Sequence, residues 1–535
     1  MHFGRRLTSY QLLIAVALFL ALSANATFFQ NILQIYPLQD NTGFLLSVFV
    51  LLFSALLFML SLFSLIIPSK YVAIFFIGVA AFSAYFSDQY GTVIDVEMIR
   101  NMIETDTSET ADLITWGLIS RVLLLALLPT IIVFRLRLQK VKLRRYLAVH
   151  AIVTGMSLCV AAACVFSFSS QYASFFREHK SVRYYVTPAY PIYSALQFAA
   201  SFSHIDTDLP FKSFDAISSI LEDETDHKEL IILVVGETAR ADHFSLNGYS
   251  RNTNPLLSQE SRLISYSRIQ SCGTSTAISV PCMFSYSGHD GFDVKSARNT
   301  ENGLDLLQKA GVNVLWRDNN SDSKGVADRI PFENYRTADK NPICNPECRD
   351  EGMLDGLQTY IDDQTGDILI VLHQMGSHGP AYFQRYPPEF ERFTPACQSA
   401  ELSDCSQEEI INAYDNTIVY TDYFLSKVID FLKVNTPKYE TAMFYVSDHG
   451  ESLGESGIYL HGMPYRFASD AQTHVPVIAW IGESSDIDYE KSKRLKDLDN
   501  THDEVFDTLL TVFEVNTNLL PSAKDKLIVL SEEDE

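Results

Sequence analysis

Residues 229–237 read ELIILVVGE, an apolar run that is bounded by two glutamates. Four further runs follow it along the chain: GVNVLW (311–316), DILIVLHQ (367–374), TAMFYVSD (441–448) and HVPVIAWIG (474–482). Runs of this length and composition are typical of strands buried in a parallel sheet. Helical stretches such as 303–310 and 408–433 lie between them. The sequence therefore predicts a layered α/β domain over residues 229–535.

Two of these strands end in side chains that suit a metal ion. Glu237 ends the first strand, and Asp448 and His449 follow the fourth. Ligands collect at the carboxyl ends of strands in such sheets, so these residues could converge on one divalent cation, with the Thr274 hydroxyl as a further donor. Three oxygens and one imidazole suit zinc, although the ligand types alone also allow manganese. Taken singly, each residue is weak evidence, because Glu237 could equally cap the next helix.

The first 170 residues have a different character. Five apolar runs are each about long enough to cross a bilayer, near 10–28, 43–68, 71–88, 115–134 and 146–168. A signal peptide could explain the first run, but four more follow it. The sequence therefore predicts a transmembrane domain of five helices over residues 1–170.

Positive charge predicts the orientation of these helices. Arg5 and Arg6 precede the first run, and the segment 135–145 is rich in Lys and Arg without an acid, whereas 29–42 contains neither Lys nor Arg. This pattern places the N-terminus in the cytoplasm and everything after residue 170 outside. Residues 171–228 mix aromatic and basic residues, which is typical of a segment in the membrane interface or of an ordinary linker helix.

The charge balance argues against a nucleic-acid partner. The formal net charge is −24, yet residues 1–170 carry 11 Lys/Arg and 8 Asp/Glu. The acidic excess therefore lies in the remainder of the chain, which offers no basic face to release counterions from phosphates.

Six of the eight cysteines form three close pairs in the outer part of the chain. The pairs are Cys272 and Cys282, Cys344 and Cys348, and Cys397 and Cys405. They predict three local disulfides in an oxidising compartment. A zinc cluster is the alternative, although only CNPEC (344–348) approaches the spacing that such a cluster needs.

Seven motifs, in this order after the membrane runs, resemble those of the phosphoethanolamine transferases of Gram-negative inner membranes. They are GETARADHFSLNGYSRNTNP (236–255), SCGTSTAISVPCMFS (271–285), DNNSDSKG (318–325), GSHGP (376–380), YDNT (414–417), SDHGESLGE (447–455) and YLHGMPY (459–465). The likeness is greatest to the lipid A enzymes of the polymyxin- and colistin-resistance type. It implies an alkaline-phosphatase/sulfatase-like fold for the outer domain.

The resemblance also implies roles for individual residues. Thr274 would be the nucleophile that becomes phosphoethanolamine-modified, and it would bind one zinc ion together with the three strand-end residues named above. His378 and His461 would protonate the leaving group or hold a second zinc. Ser321 and Lys324 would contact substrate.

A further trio, in the loop after the third apolar run, is similar to residues that contact the lipid headgroup in the family. Asn101, Thr105 and Glu109 are spaced by four, so they share one face if the loop is helical. The alternative is an amphipathic helix that merely exposes polar groups. The chain departs from the family at Ser323 and Ala327, where relatives often carry a pair of cysteines.

The implied reaction moves phosphoethanolamine from phosphatidylethanolamine to a phosphate of lipid A and releases diacylglycerol. The protein is then expected to be a monomer of the inner membrane, with its catalytic domain in the periplasm, and to confer polymyxin resistance. Three alternatives stay open: transfer to a Kdo or heptose phosphate of the lipopolysaccharide core, hydrolysis as a sulfatase or phosphodiesterase, and a sensor that has lost catalysis. The CGTST sequence does not match the Cys-x-Pro-x-Arg pattern of formylglycine sulfatases.

Overall fold

The computed structural model describes residues 6–104, 107–203, 210–218, 228–345, 347–517, 519 and 527–531. The chain forms two compact units. The first unit comes from residues 1–103 and 113–205, and the second comes from residues 104–112 and 206–535.

Helices build the first unit. In chain order the helices up to residue 203 are α1 (Ser9–Ser23), α2 (Ala26–Ile35), α3 (Leu38–Phe63), α4 (Ser69–Tyr90), α5 (Val96–Glu104), α6 (Thr107–Asp112), α7 (Trp116–Val122), α8 (Leu128–Arg135), α9 (Leu143–Ser167), α10 (Ser169–Glu178) and α11 (Ala189–Ser203). Of these, α6 belongs to the second unit. A π-helical stretch over Leu123–Leu127 joins α7 to α8, so the two form one span over Trp116–Arg135.

Four spans of the described chain are long and apolar enough to cross a membrane: α3, α4, the α7–α8 span and α9. A fifth requires counting α1 and α2 together, although they meet at a bend of 59°. Asn25 lies at that bend, where its amide donates to the carbonyl oxygens of Leu20 (3.0 Å) and Thr187 (2.9 Å). These bonds satisfy carbonyl groups near the break. The predicted five helices are therefore confirmed for four, and the first is a bent pair.

A mixed sheet forms the centre of the second unit. The strands of this unit are β1 (Ala216–Ser218), β2 (Lys228–Gly236), β3 (Leu263–Gln270), β4 (Asn313–Asp318), β5 (Phe332–Asn334), β6 (Ile368–His373), β7 (Tyr439–Ser447), β8 (Ser452–Leu453), β9 (Tyr459–Leu460), β10 (His474–Ile481), β11 (Asn500–Thr501) and β12 (Val515–Thr517). Eight of them form one sheet in the order β11-β3-β10-β7-β2-β6-β4-β5. The pairs β1–β12 and β8–β9 form two small sheets.

The second unit also contains helices, and several of them pack on this sheet. After α6 they are α12 (Thr276–Met283), α13 (Gly288–Gly291), α14 (Val294–Arg298), α15 (Gly303–Ala310), α16 (Leu357–Asp362), α17 (Gln407–Asn435), α18 (Asp470–Thr473), α19 (Tyr489–Lys493) and α20 (Asp503–Val512). Ile231, Leu233 and Val235 of β2 belong to an apolar cluster with Leu304 of α15 and Phe506 of α20. The intervening residues of β2 are buried as fully, and α17 packs against β2 and β7. This double burial explains why β2 is apolar at successive positions.

The strand directions place four carboxyl ends at one edge of the sheet. The neighbours β7, β2, β6 and β4 are parallel, which confirms the predicted α/β arrangement. The prediction is wrong for β10, which pairs antiparallel with both β7 and β3. A continuous apolar run shows that a strand is buried, but it carries no information about direction. Pro476, which has no N–H to donate, lies where the register of β10 against β3 shifts.

Candidate active site

Parallel register brings two predicted ligand segments side by side. Gly236 at the end of β2 pairs with Ser447 at the end of β7, so Glu237 and Asp448 are the next residues on neighbouring strands. The backbone N–H of Asp448 donates to the carbonyl of Gly236 at 3.0 Å. The side chains of Glu237, Asp448 and His449 are completely buried.

These three side chains, the strand-end cluster, have the donors that a divalent cation needs. Their ligand atoms lie within 4.8 Å of one another. Nε2 of His449 is 3.5 Å from Oε1 of Glu237 and 3.2 Å from Oδ2 of Asp448. Nδ1 of the same ring is 2.9 Å from the carbonyl oxygen of Gly450, which can only accept, so Nδ1 carries the proton. Burial lowers the pKa of His449 to about 3, so Nε2 presents a lone pair to two carboxylates. This set of donors suits zinc.

The hydroxyl that meets the strand-end cluster belongs to Thr276, the first residue of α12. Its Oγ1 donates to Oε2 of Glu237 at 3.2 Å and lies 3.4 Å from Nε2 of His449. The sequence predicted Thr274 for this position, but the Thr274 hydroxyl donates to the carbonyl oxygen of Met463 at 2.6 Å. That placement of Thr274 is wrong, and Thr276 replaces it at the cluster.

A disulfide-closed loop sets which threonine faces the cluster. Cys272 is bonded to Cys282, which lies within α12, so the loop is tied to the helix that it precedes. Ser275 is extended (φ −154°, ψ 149°), and the chain enters the helix only at Thr276. The other two predicted disulfides also form, Cys344–Cys348 and Cys397–Cys405.

The two predicted histidines lie beside the cluster. The ring centroid of His461 is 4.4 Å from that of His449 and 5.5 Å from that of His378. Nδ1 of His461 is 2.8 Å from Oε2 of Glu451, whose other oxygen accepts from the Tyr382 hydroxyl at 2.7 Å. Glu451 therefore fixes the orientation of His461. Burial, and to a smaller extent the nearby His461, lowers the pKa of His378 well below its usual value.

Known proteins resemble this chain over nearly its whole length. The family described as phosphoethanolamine transferase EptA/EptB matches residues 52–201, and the sulfatase family matches residues 229–515. Phosphatidylethanolamine transferase Mcr-2 of Escherichia coli is 45% identical over 511 residues, with 94% of each chain covered. The chain belongs to the phosphoethanolamine transferase family. The sequence-based recognition of this enzyme family is thereby confirmed.

Two further relatives extend the comparison of this transferase. Phosphoethanolamine transferase EptA of Salmonella typhimurium is 39% identical over 525 residues, with 96% of each chain covered. The solved structure of the integral membrane protein lipooligosaccharide phosphoethanolamine transferase A (EptA) from Neisseria meningitidis matches with a TM-score of 0.91 at 30% identity, and 96% of each chain is covered. The predicted combination of a transmembrane domain and a sulfatase-like domain is therefore confirmed.

Asn320 also contacts the strand-end cluster, although the sequence did not single it out. Its amide donates to Oε2 of Glu237 and to the carbonyl oxygen of Gln374, both at 2.8 Å. Asn320 therefore holds one carboxylate of the cluster in place. A signal was present in the sequence, because Asn320 directly precedes Ser321 in the DNNSDSKG motif at the end of β4.

The predicted substrate residues Ser321 and Lys324 lie in the loop that follows β4. Nζ of Lys324 donates to the carbonyl oxygen of Ser321 at 2.9 Å. Lys324 has a φ of 53°, a left-handed conformation that is strained for a lysine and is typical of functional loops. The N–H of Ala327 donates to Oγ of Ser323 at 3.1 Å, so a hydrogen bond joins the two positions where relatives often carry cysteines. Substrate contact by Ser321 and Lys324 stays a prediction.

The predicted headgroup trio of the transferase is only partly described. Asn101 lies half-buried in α5 of the first unit. Thr105 lies outside the described residues, and Glu109 lies in α6, where its backbone alone is described. Contact of these residues with a lipid headgroup stays a prediction, as does a second zinc ion near His378 and His461.

Proposed function

We propose that this transferase moves phosphoethanolamine from phosphatidylethanolamine to a phosphate of lipid A, with Thr276 carrying the group between the two lipids. One observation carries the proposal: the Thr276 hydroxyl, at the start of α12, donates to Glu237 within a buried cluster of donors that suits zinc. The names of two relatives, phosphatidylethanolamine transferase Mcr-2 and lipooligosaccharide phosphoethanolamine transferase A, support the substrate classes.

Glu237, Asp448 and His449 would hold the zinc ion. Bound there, zinc supplies Lewis acidity, which lowers the pKa of a nearby hydroxyl and offsets charge on a phosphate oxygen. Asn320 holds the Glu237 carboxylate, and the carbonyl oxygen of Gly450 fixes the tautomer of His449. These outer hydrogen bonds keep the donors oriented.

Thr276 attacks the phosphorus of phosphatidylethanolamine. A bond forms between Oγ1 of Thr276 and phosphorus, and the bond from phosphorus to the diacylglycerol oxygen breaks. The Thr276 hydroxyl donates to Oε2 of Glu237, so this carboxylate oxygen is the first acceptor of the hydroxyl proton. Backbone N–H groups at the start of α12 stabilise negative charge on the phosphate.

His461 completes the first half of the reaction. Its Nδ1 is engaged by Glu451, so Nε2 is the nitrogen that protonates the departing diacylglycerol oxygen. In the second half, a phosphate oxygen of lipid A attacks the same phosphorus, and the bond from phosphorus to Oγ1 of Thr276 breaks. Thr276 takes back its proton from Glu237, and the proton that the lipid A phosphate loses restores the one that His461 donated. Two displacements at one threonine give ping-pong kinetics.

The product explains resistance in electrostatic terms. Transfer adds a cationic amine to lipid A and masks an anionic phosphate, so cationic peptides such as polymyxin bind it less strongly. The membrane helices anchor the enzyme in the membrane that holds its lipid donor. The Lys/Arg distribution supports a periplasmic location for the catalytic unit.

Lipid A from a Gram-negative host that expresses the full chain tests the proposal. Mass spectrometry is expected to show a gain of one phosphoethanolamine group. Thr276→Ala is expected to reduce that gain by about 10³-fold or more, because it deletes the nucleophile. Thr274→Ala at equal membrane abundance is the matched control, and it is expected to retain transfer.

Three results would overturn parts of the proposal. Loss of transfer in Thr274→Ala with full transfer in Thr276→Ala would move the nucleophile back to Thr274. Modification of the core oligosaccharide instead of lipid A would change the acceptor to a Kdo or heptose phosphate. If no glycolipid gains phosphoethanolamine, the transfer reaction itself is refuted.

A further inference from the structure

Two acidic residues, one just before α6 and one at its end, form ion pairs with arginines of the second unit. Glu104 and α6 belong to the second unit, although the residues before and after them in the chain belong to the first. Oε1 of Glu104 lies 3.0 Å from Nη2 of Arg298. Asp112, the last residue of α6, pairs through Oδ2 with Nη2 of Arg385. We call Glu104 and Asp112 the anchor residues.

The first anchor residue reaches the substrate loop after β4. Nζ of Lys324 is 3.4 Å from the carbonyl oxygen of Glu104 and also donates to the carbonyl oxygen of Ser321. Arg298 therefore binds the side chain of Glu104, and Lys324 binds its backbone carbonyl. Because Lys324 has a strained backbone, its conformation depends on contacts of this kind.

The second anchor residue reaches His378 through one buried guanidinium. Arg385 is 4% exposed. Its Nε donates to the carbonyl oxygen of His378 at 2.6 Å, while Nη1 pairs with Glu347 and Nη2 with Asp112. Arg385 thereby joins α6, the loop closed by the Cys344–Cys348 disulfide and the loop of His378.

Charge and shape make this junction depend on Asp112. Burial alone would lower the pKa of Arg385, but the carboxylates of Glu347 and Asp112 raise it, so the arginine stays charged. A guanidinium presents its donors in a rigid fork, so Arg385 can donate to all three acceptors at once. A lysine ammonium lacks this fixed geometry. Removal of one carboxylate leaves a buried cation with half of its compensation.

We propose that the anchor residues are positioning residues of the active site. Glu104 fixes the conformation of the Lys324 loop, and Asp112, acting through Arg385, fixes the loop that presents His378. Catalysis then requires both anchor residues to be docked. This inference rests on the proposed function, because Lys324 and His378 matter only if that site performs the transfer.

A charge swap in the full-length enzyme tests the first anchor residue. Glu104→Arg and Arg298→Glu are each expected to lower kcat about 10- to 100-fold, the effect of a small misplacement, with little change in KM for phosphatidylethanolamine. The double swap is expected to restore kcat to within about threefold of the natural enzyme, because the pair is re-formed with opposite signs. Glu260 and Lys433 provide the control swap, since their ion pair (2.7 Å) lies between a similarly exposed lysine and glutamate. The control swap is expected to leave kcat unchanged.

Asp112→Asn and Arg385→Lys test the second anchor residue. Both are expected to lower kcat and to speed backbone hydrogen exchange at 376–380, while the zinc content of the protein is unchanged. Glu104→Arg is expected to speed exchange at 321–325. Hydrogen exchange reports the docking even where no turnover is measured.

The outcomes separate this inference from the proposed function. If the natural enzyme modifies lipid A and the single variants have the same kcat and the same exchange rates as the natural enzyme, the anchor inference alone is refuted. A double swap no better than the worse single variant also refutes it. If the natural enzyme transfers nothing but the exchange rates respond as expected, the docking holds and the proposed reaction falls.

Discussion

His502 joins two parts of the candidate active site through its two ring nitrogens. The N–H of Cys272 donates to Nδ1 at 3.2 Å, and Nε2 is 2.9 Å from the carbonyl oxygen of Ser447. A carbonyl only accepts, so Nε2 carries the proton and the ring is neutral. Burial lowers the pKa of His502 to about 4. One imidazole therefore holds the loop before Thr276 against β7, the strand that precedes Asp448.

His502→Gln is expected to flatten the acid dependence of stability. The pKa of this ring is 6.5 when unperturbed and about 4 when folded, so the stability it contributes is complete above pH 6.5 and is lost as the pH falls toward 4. Between about pH 7 and about pH 4.5, the natural protein should lose about 2 kcal/mol more than the variant. Thermal unfolding in detergent at the two pH values measures this difference.

His474→Gln is the control for that experiment. His474 is a half-buried histidine on β10 whose Nε2 lies 2.7 Å from the carbonyl oxygen of Ser267. The His474→Gln variant should lose as much stability between the two pH values as the natural protein does. If His502→Gln shows the same acid dependence as the natural protein, the argument from burial is contradicted.

The sequence predicts a site residue well when the strand pattern alone locates it. The three members of the strand-end cluster each follow an apolar run, so their meeting at one edge was foreseeable. The choice between Thr274 and Thr276 depends on the extended backbone of Ser275, which no periodicity encodes. Asn320 was missed because nothing in the strand pattern shows that the loop after β4 reaches Glu237 across the intervening strand β6.

At the scale of elements, the disulfide loop before α12 is expected to serve catalysis as well as stability. Replacing Cys272 and Cys282 with serine opens a loop of sequence separation 10, and replacing Cys397 and Cys405 opens one of separation 8. Closure of loops this short contributes about 2–3 kcal/mol of stability in each case. Only the first pair flanks Thr276, so only its loss should lower kcat, by about tenfold or more.

Melting temperature and kcat of the two double variants decide this prediction. The melting temperatures of both double variants should fall by a similar amount. Equal kcat values in the two variants would show that the Cys272–Cys282 bond acts on stability alone.

The elements were predictable where burial alone determines their pattern. The continuous apolar runs of β2, β6 and β7 are strands, as expected. By contrast, β3 reads LISYSRIQ, is buried only at Ile264, Tyr266 and Ile269, and was not singled out. The direction of β10 was also beyond the sequence, because connections and packing set it rather than composition.

At the scale of the whole molecule, the positive charges predict the orientation of the chain in its membrane. The segment between α8 and α9 is basic, so a reporter fused after Gln139 should lie in the cytoplasm, and one fused after Glu178 should lie in the periplasm. Alkaline phosphatase should be active only after Glu178, and green fluorescent protein should be bright only after Gln139. The reverse pattern would contradict both the orientation and a periplasmic catalytic unit.

Hydropathy predicts the number of membrane spans less well than their existence. It counts apolar residues, and α1 and α2 satisfy that count jointly. The bend between them depends on Asn25 and on its bonds to Thr187, a residue more than 160 positions later. Long-range contacts of this kind leave no trace in a hydropathy profile.

The pairing of β2 with β7 has a consequence during biosynthesis. The ribosome delivers Glu237 and Thr276 about two hundred residues before Asp448 and His449, and sheet pairing over such separations is slow. On the proposed mechanism, a nascent chain that stalls before residue 448 therefore carries a threonine that nothing activates. On that mechanism, the order of translation keeps an incomplete enzyme from removing headgroups from the membrane into which it is being inserted.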